Sequence, residues 1–132
     1  MTSDPGLDAR ISAAVSAGGI ADITTIGRKT GLPRRKEIFF HNFDGVLYIG
    51  GRPGFPRDWI ANLRANADFT LHLKRGVAAD LPARAEVIGD PVLRRRILYR
   101  MMTESWNMPA DKAAADVDRW ERTSPLVRFE LV

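Results

Sequence analysis

The sequence predicts a mainly β fold, a small antiparallel barrel or sheet with helices around it. Three observations lead to this fold class: six short runs rich in β-branched and aromatic residues, a strong hairpin signal, and a few segments of helical period. The runs do not alternate regularly with helices, so parallel βαβ units are not expected. A chain of 132 residues has the length of one domain and can bury a core.

The elements are predicted in order from apolar periodicity and from turn residues. A short helix begins at Asp4-Pro5, an N-cap followed by a proline, and ends at Gly18-Gly19. Asp44-Gly45 predicts a hairpin between the second and third strands, and the prolines and glycine of residues 52–56 predict a loop. The strands are expected at 20–26, 37–42, 46–49, 69–73, 78–88 and 126–132, and the later helices at 57–67, from Asp90-Pro91 onward and around 110–120.

Two details refine these elements. Pro82 predicts an edge strand or a bulge in the fifth strand, because proline cannot donate to a ladder. Each helix carries an apolar stripe that should pack on the strands. The stripes are Leu7, Ile11, Ala14 and Val15; Ile60, Leu63 and Ala67; Leu93, Ile97, Leu98, Met101 and Met102; and Ala110, Ala113, Val117 and Trp120.

Composition narrows the class of protein. With 45% apolar and 27% charged residues the chain resembles a globular protein, and it shows no run long enough to cross a membrane. The absence of cysteine excludes disulfides and thiolate chemistry, and together with the lack of a signal-peptide pattern it predicts a cytoplasmic protein. The net charge of +4 favours an anionic partner without identifying it.

The most informative segment is the basic turn, residues 28–36. Five of its nine residues are cationic, it follows Gly27, and it lies between two predicted strands. Glycines, free backbone N–H groups and Lys or Arg side chains together can hold a phosphate or carboxylate. The alternative is a solvated hairpin tip, and charge alone does not decide between the two.

A second candidate region runs from Gly50 to Asn66. The Gly50-Gly51 pair leads into a helix on which Trp59, Asn62 and Asn66 share a broad face. Trp59 can stack on a planar ring and the asparagines can bond its polar edge. The alternative is that Trp59 packs in the core and the asparagines bond a nearby loop.

Catalytic groups are few. His41 and His72 lie in predicted strands without a neighbouring triad pattern in the sequence, so structural or solvent-facing roles are expected for both. No metal-ligand motif occurs, and no metal is expected. Arg95, Arg96 and Arg100 should form a solvated helix face, while Arg94 should snorkel or pair with an acid. An enzyme built on this chain would therefore take its reactive atom from a cofactor, and its catalytic residues stay unknown.

Three ordered blocks resemble the deazaflavin-dependent nitroreductase family. Residues 23–34 resemble its TTxGRKTGxPR signature. The family's glycine pair is matched by Gly50-Gly51. Its PxWxxNLxAN motif is similar to the segment from Pro56 through Trp59 to Asn66, with one extra residue before the tryptophan. Residues 122–127 are similar to its closing RxxPxxx strand. The blocks span about residues 20–132, which makes the match specific.

The resemblance implies a split β-barrel of the FMN-binding, pyridoxamine-phosphate-oxidase-like type, with about six antiparallel strands and peripheral helices. It implies a single domain over 1–132, with an N-terminal helix at 1–19, that pairs into a homodimer. The implied cofactor is coenzyme F-420, an 8-hydroxy-5-deazaflavin with a phosphate and polyglutamate tail. The implied cofactor-binding residues are Gly27, Arg28, Lys29, Thr30, Gly31 and Arg34 at the phosphate and tail, and Gly50, Gly51, Trp59 and Asn62 at the ring.

The implied activity is hydride transfer from the reduced deazaflavin to a quinone or nitro compound. The expected partners are a small-molecule cofactor and acceptor, with no nucleic acid and no stable membrane insertion. Two departures from the family pattern bear on it. Glu37 stands where a proline is common and would repel an anionic tail unless Lys36 or Arg34 neutralises it. Only Tyr99, Trp106 and Trp120 are available in place of the C-terminal tyrosines that line the substrate wall of family members.

Three other functions stay open at this point. A related split barrel that uses FMN would place one phosphate in the same turn. A non-catalytic protein could carry a cofactor or an apolar ligand on the same scaffold. A nucleic-acid binder is disfavoured, because no aromatic residues are interleaved with the basic run as stacking platforms.

Overall fold

The computed structural model describes residues 5–54 and 57–132. Within these residues the chain forms six strands, four α-helices and one π-helical turn. In order they are α1 (Pro5–Ala17), β1 (Gly19–Ile26), β2 (Pro33–Phe43), β3 (Val46–Gly50), α2 (Asp58–Ala65), β4 (Asp68–Leu73), β5 (Ala79–Val87), α3 (Pro91–Arg100), the π-helical turn (Met101–Ser105), α4 (Ala110–Thr123) and β6 (Leu126–Leu131).

The six strands close into an antiparallel barrel in the order β1-β2-β3-β6-β5-β4. The longest ladder joins β1 to β2, from Gly19 opposite Phe40 to Ile26 opposite Pro33. Asp44 and Gly45 make the two-residue hairpin turn between β2 and β3, both with positive φ, as the Asp-Gly signal predicts. The predicted six-stranded antiparallel architecture is confirmed.

The barrel interior follows from the alternation of side chains along each strand. The strands turn apolar side chains inward, β2 only in its second half, and α2 adds Trp59, Ile60 and Leu63 to this core. Helix α1 packs its predicted stripe of Leu7, Ile11, Ala14 and Val15 against this core. The buried strand residues are Ala21, Ile23, Phe40, Leu47, Ile49, Phe69, Leu71, Leu73, Ala83, Val127 and Phe129.

A second core lies on the outside of the barrel. The outward side chains of β2, β3 and β6, namely Phe43, Tyr48 and Leu126, are covered by α3, the π-helical turn and α4. The stripe predicted for α3 packs here and runs on into the π-helical turn through Met101 and Met102. None of the helices in the described part of the chain is long and apolar enough to cross a bilayer.

Three predicted elements need correction. β2 begins at Pro33, four residues before the predicted start, so four of the nine residues of the basic segment are strand. α2 ends at Ala65, because Asn66 is extended and its side chain accepts a hydrogen bond from the Asp68 amide. Pro82 marks no bulge, and β5 is not an edge strand of the closed barrel, although its residues 79–82 pair with β4 alone.

Pro82 is tolerated because the β6 ladder begins only at Ala83, and the Pro82 carbonyl still accepts from the Val132 amide. The π-helical turn was not predicted. The Asp4 N-cap and the end of the predicted loop at Phe55-Pro56 fall outside the described residues.

Candidate functional site

The basic segment folds as a tight turn followed by the first half of β2. The Gly27 amide donates to the Leu32 carbonyl at 2.8 Å, and the Gly31 amide donates to the Gly27 carbonyl at 2.8 Å. The Thr30 hydroxyl accepts from the Leu32 amide at 3.2 Å. A side chain at position 27 would place its Cβ 2.7 Å from the Thr30 hydroxyl, so it would push that hydroxyl away from the Leu32 amide.

Helix α2 anchors this turn through Asn62. The Asn62 side-chain carbonyl accepts from the Arg28 amide at 3.0 Å and from the Arg28 guanidinium at 3.4 Å. Its NH₂ group donates to the buried Thr25 hydroxyl at 3.1 Å. The Arg28 guanidinium also lies 3.8 Å from the Asp58 carboxylate at the start of α2.

The turn, β2 and α2 enclose a groove of about 400 Å³, which we call the basic groove. Five of its side chains are cationic and only Asp58 is acidic. Trp59 is 5% exposed and belongs mainly to the core, as one of the two sequence-based interpretations expected, but it also lines the groove. The lining residues are Thr25, Gly27, Arg28, Lys29, Thr30, Arg34, Arg35, Lys36, Asp58, Trp59 and Asn62.

The strand register explains why cations gather here. Arg34 lies opposite Thr25 and Lys36 opposite Ile23, and directly opposed residues share a face of the sheet. Because Thr25 and Ile23 face the barrel interior, Arg34 and Lys36 continue that inner face beyond the core. In the described residues, Lys29, Arg34 and Lys36 form no salt bridge, so their charge is available to a ligand.

A model of one protein family, F420H(2)-dependent quinone reductase, matches residues 6–120. The chain belongs to this family. The resemblance to deazaflavin-dependent enzymes is thereby confirmed, as are the class of enzyme, oxidoreductase, and the cofactor of the family, reduced coenzyme F-420. No curated protein matches the sequence significantly.

Solved structures confirm the fold. A conserved hypothetical protein from Mycobacterium tuberculosis superposes with a TM-score of 0.71 at 18% identity, over 97% of this chain and 84% of that one. A putative pyridoxamine 5′-phosphate oxidase from Listeria innocua gives 0.60 at 12% identity, over 96% and 98%. An F-420-H2-dependent reductase gives 0.57 at 20% identity, over 85% and 94%. The neighbours show the split barrel that the sequence predicted.

The basic groove fits the phosphate-bearing cofactor of the F420H(2)-dependent quinone reductase family. In the described structure the turn has two amides without a protein partner, those of Lys29 and Thr30, next to the unpaired cations. The other four amides, from Gly27, Arg28, Gly31 and Leu32, are bonded within the protein. Adjacent N–H groups flanked by Lys and Arg are a standard anion cradle.

Glu37 does not disturb this groove. It lies opposite Asp22, on the outer face of the sheet, whereas Arg34 and Lys36 occupy the inner face. Its carboxylate pairs with Lys74, the residue directly after β4, at 2.5 Å, and not with Lys36 or Arg34 as the sequence suggested. Lys74 and Arg35 also bind Asp22, and their hydrogen bonds lower the pKa of that carboxyl.

Gly50 and Gly51 lie apart from the basic groove. A Cβ at Gly50 would come within 2.7 Å of the Met101 sulfur, so this glycine permits close packing between β3 and the π-helical turn. A Cβ at Gly51 would meet the Arg57 guanidinium at 3.2 Å. Of the ten predicted cofactor residues, seven therefore line this one groove, Gly31 lies in its turn without lining it, and the glycine pair lies elsewhere.

Both histidines have partners that the sequence did not indicate. His72 is hydrogen-bonded to Thr24 and to Asp80, each at 2.7 Å, across three adjacent strands. His41 is bonded to Ser105 at 2.7 Å, while its other ring nitrogen is buried without a partner among the described residues. Burial lowers the pKa of His41 to about 4. Of the two roles that the sequence left open, the buried, structural one applies to both.

A second basic depression, the arginine pocket, lies on the other side of α2 and has a volume of about 430 Å³. Four arginines line it: Arg57, Arg64, Arg94 and Arg122. Arg94 donates to the carbonyls of Glu121 at 2.8 Å, Ile88 at 2.9 Å and Ser124 at 2.6 Å. Arg94 thus bonds backbone carbonyls near the end of α4, a role that the sequence-based choice between snorkelling and acid pairing did not include.

Sequence reasoning missed two residues of the basic groove. Thr25 is buried and bonded to Asn62, and its position two residues after Ile23 on the inward face of β1 was the available signal. Asp58 pairs with Arg28 across the groove. The spacing in sequence between Asp58 and Arg28 gave no signal for this contact.

Proposed function

We propose that this protein transfers a hydride from reduced coenzyme F-420, bound along the basic groove, to a small electrophilic acceptor of the quinone or nitro type. The observation that carries the proposal is the groove itself. Three cations without salt bridges in the described structure and two unpartnered amides converge on one turn, beside Trp59. That set suits a ligand which combines an anionic tail with a flat ring.

The roles of the chain's own residues follow from this placement. Lys29, Arg34 and Lys36 bind the phosphate and glutamate groups, together with the amides of Lys29 and Thr30. Trp59 offers the exposed edge of a core side chain to the ring. When bound, the reduced deazaflavin supplies the hydride, and the protein contributes orientation and exclusion of water. We name no catalytic acid, because neither histidine lines the groove.

Binding is tested by titrating the protein with F-420, with FMN and with a short oligonucleotide while following tryptophan fluorescence. We expect saturable quenching by F-420 and little response to the oligonucleotide. Tight binding of FMN without binding of F-420 would favour the FMN-dependent alternative. A response to the oligonucleotide alone would overturn the proposal.

The acceptor is tested by turnover of the reduced deazaflavin with a benzoquinone, a naphthoquinone and a nitroaromatic compound. We expect oxidation of the deazaflavin with at least one class, and the ratio of kcat/KM values assigns the preference. Binding of F-420 without turnover of any acceptor would instead indicate a carrier protein.

We also propose that the protein is a homodimer, as the family resemblance implies. Exposed apolar side chains support this: Val46 and Leu131, each 38% exposed, border a broad depression across β3, β6 and β5. Light scattering during gel filtration should give twice the 14.7 kDa of one chain. Val46→Glu should dissociate the dimer, since an interface of standard size leaves no room for an unpaired charge. A monomeric wild type would contradict the proposal.

A further inference from the structure

Asn62 belongs to a motif that the family resemblance assigns to the deazaflavin ring, yet its polar atoms are committed elsewhere. It is 3% exposed, and three of the four hydrogen bonds that its amide can make go to the protein. Two of these bonds are accepted from Arg28 and one is donated to Thr25. Little capacity is left for a ligand.

The orientation of this amide is fixed by its partners. The Arg28 amide can only donate, so the atom 3.0 Å away from it must be the Asn62 oxygen. The NH₂ group then faces the Thr25 hydroxyl at 3.1 Å, and Thr25 is 1% exposed. A chain of bonds therefore runs from the end of β1, through α2, to the first residue of the turn after Gly27.

This chain of bonds fixes the position of the unpartnered backbone amides of the turn. The turn's internal bonds close it between Gly27 and Leu32, but they do not fix it against the rest of the molecule. The Arg28 bond to Asn62 does so, and the two unpartnered amides, of Lys29 and Thr30, follow immediately in the chain. Because Lys29 and Thr30 follow Arg28 directly in the chain, a shift of the Arg28 backbone would displace both amides together.

We propose that Asn62 is a positioning residue which, together with Thr25, holds the basic turn in its anion-binding conformation without itself contacting the cofactor. The proposal rests on the proposed function for the identity of the ligand. Its structural half, the fixing of the turn, does not depend on any ligand.

The structural half is tested by amide hydrogen exchange of the ligand-free protein. We expect faster exchange of the Arg28 amide in Asn62→Ala and in Thr25→Val, by about two- to tenfold in the latter, the change that one lost hydrogen bond produces. Thr25→Ser, which keeps the hydroxyl, should restore wild-type protection. Thr70→Val, a matched change on the outer face of β4, should leave the Arg28 amide unchanged.

The ligand half is tested by comparing whole F-420 with the same deazaflavin lacking its phosphate and glutamates. In Thr25→Val we expect the affinity for whole F-420 to fall by about two- to tenfold and that for the tailless chromophore to stay constant. Thr25→Ser should again bind like the wild type. Far-UV circular dichroism and melting temperature show that each variant is folded.

Each outcome decides the question. Unchanged exchange of the Arg28 amide in Thr25→Val would overturn the inference, whatever the affinities are. An equal loss for whole and tailless cofactor would show that Asn62 contacts the ring directly. If the wild-type protein binds no deazaflavin, the proposed function fails, and the exchange rates alone then decide whether Asn62 and Thr25 fix the turn.

Discussion

The basic groove and the arginine pocket are two cationic depressions on opposite sides of the same helix, and Arg94 of the pocket differs from the unpaired cations of the groove in being bonded to the protein. α2 gives Asp58, Trp59 and Asn62 to the groove, and Ile60, Ala61 and Arg64 to the pocket. In the pocket, Arg94 donates to three backbone carbonyls. In the groove, Lys29, Arg34 and Lys36 form no ion pair in the described structure, and two amides lack partners.

The difference shows that positive charge alone does not identify a binding site. A guanidinium whose N–H groups are bonded to carbonyls stabilises the fold and has little capacity for a ligand. Exposed cations without an ion pair add little to the stability of the fold, because water solvates them equally well in the unfolded chain. We therefore expect substitution of Arg94 to change stability, and substitution of the unpaired cations of the groove to change binding.

The largest expected effect is on stability, from Arg94→Met. The methionine keeps most of the aliphatic volume but leaves three carbonyls without their donor, so unfolding should become easier by about 3 kcal/mol. Chemical denaturation measures this difference. The control is Arg96→Met on the same helix, which is exposed and should cost little. Binding of F-420 by folded Arg94→Met should equal that of the wild type, and a large loss of affinity would place the ligand in the arginine pocket instead.

His41 is a buried titratable group that, unlike the cations of the groove and the pocket, remains neutral in the folded protein. Its pKa is 6.5 in an unfolded chain and about 4 in the fold, so below pH 6.5 the unfolded state binds the extra proton. Stability should therefore fall as the pH drops from 6.5 to 4, by about 2 to 3 kcal/mol, and this contribution is fully present above pH 6.5.

Denaturation curves at several pH values test this expectation. His41→Phe keeps an aromatic ring among Phe39, Phe43 and Trp106 but cannot take up a proton. Its stability should depend less on pH in that window than the wild type does. Equal slopes in the two proteins would show that His41 is not the group responsible.

The next effect is on binding, from the double variant Lys29→Gln, Arg34→Gln. Removing two cations beside the unpartnered amides should weaken F-420 binding by about ten- to thirtyfold at low salt, with little change in stability. The control, Arg96→Gln with Arg119→Gln, removes the same net charge from α3 and α4. If both double variants lose affinity equally, the groove acts only through the protein's net charge.

Ionic strength sharpens the same contrast. Charges in the exposed groove are screened, so wild-type affinity should fall as salt rises and that of the Lys29→Gln, Arg34→Gln variant should fall less steeply. Titrations at three salt concentrations give the two slopes. Parallel slopes would mean that these side chains do not contact the ligand's charges.

The features that the sequence predicts best are those that depend on residues close together in the chain. Apolar periodicity located all six strands, and Asp44-Gly45 located a hairpin whose geometry follows from two residues. The basic turn was found because its cations are contiguous in the chain. β2 begins earlier than predicted because Arg34, Arg35 and Lys36 are all polar although they face alternate sides of the sheet. The alternation of apolar and polar residues that marks a strand is therefore missing there.

Contacts between distant segments were beyond the sequence. Asn62 and Thr25 are 37 positions apart, and only the closure of the barrel brings the end of β1 against α2. The same holds for His41 and Ser105, which are 64 positions apart. The family resemblance assigned Gly50 to the cofactor ring, whereas in the structure a Cβ at this position would meet Met101, which lies in a different element.

The smallest expected effect comes from Glu37→Gln, and it tests whether the two faces of β2 are independent. The sequence places this carboxylate one residue from Lys36, where it should oppose an anionic tail. The structure turns it to the outer face, against Lys74. Removing its charge should therefore raise the affinity for F-420 by less than about twofold, through weak screened repulsion alone. Asp58→Asn, on the inner face beside Arg28, should raise it more. If Glu37→Gln has the larger effect, the anionic tail of F-420 reaches the outer face of β2, and the groove is not the whole binding site.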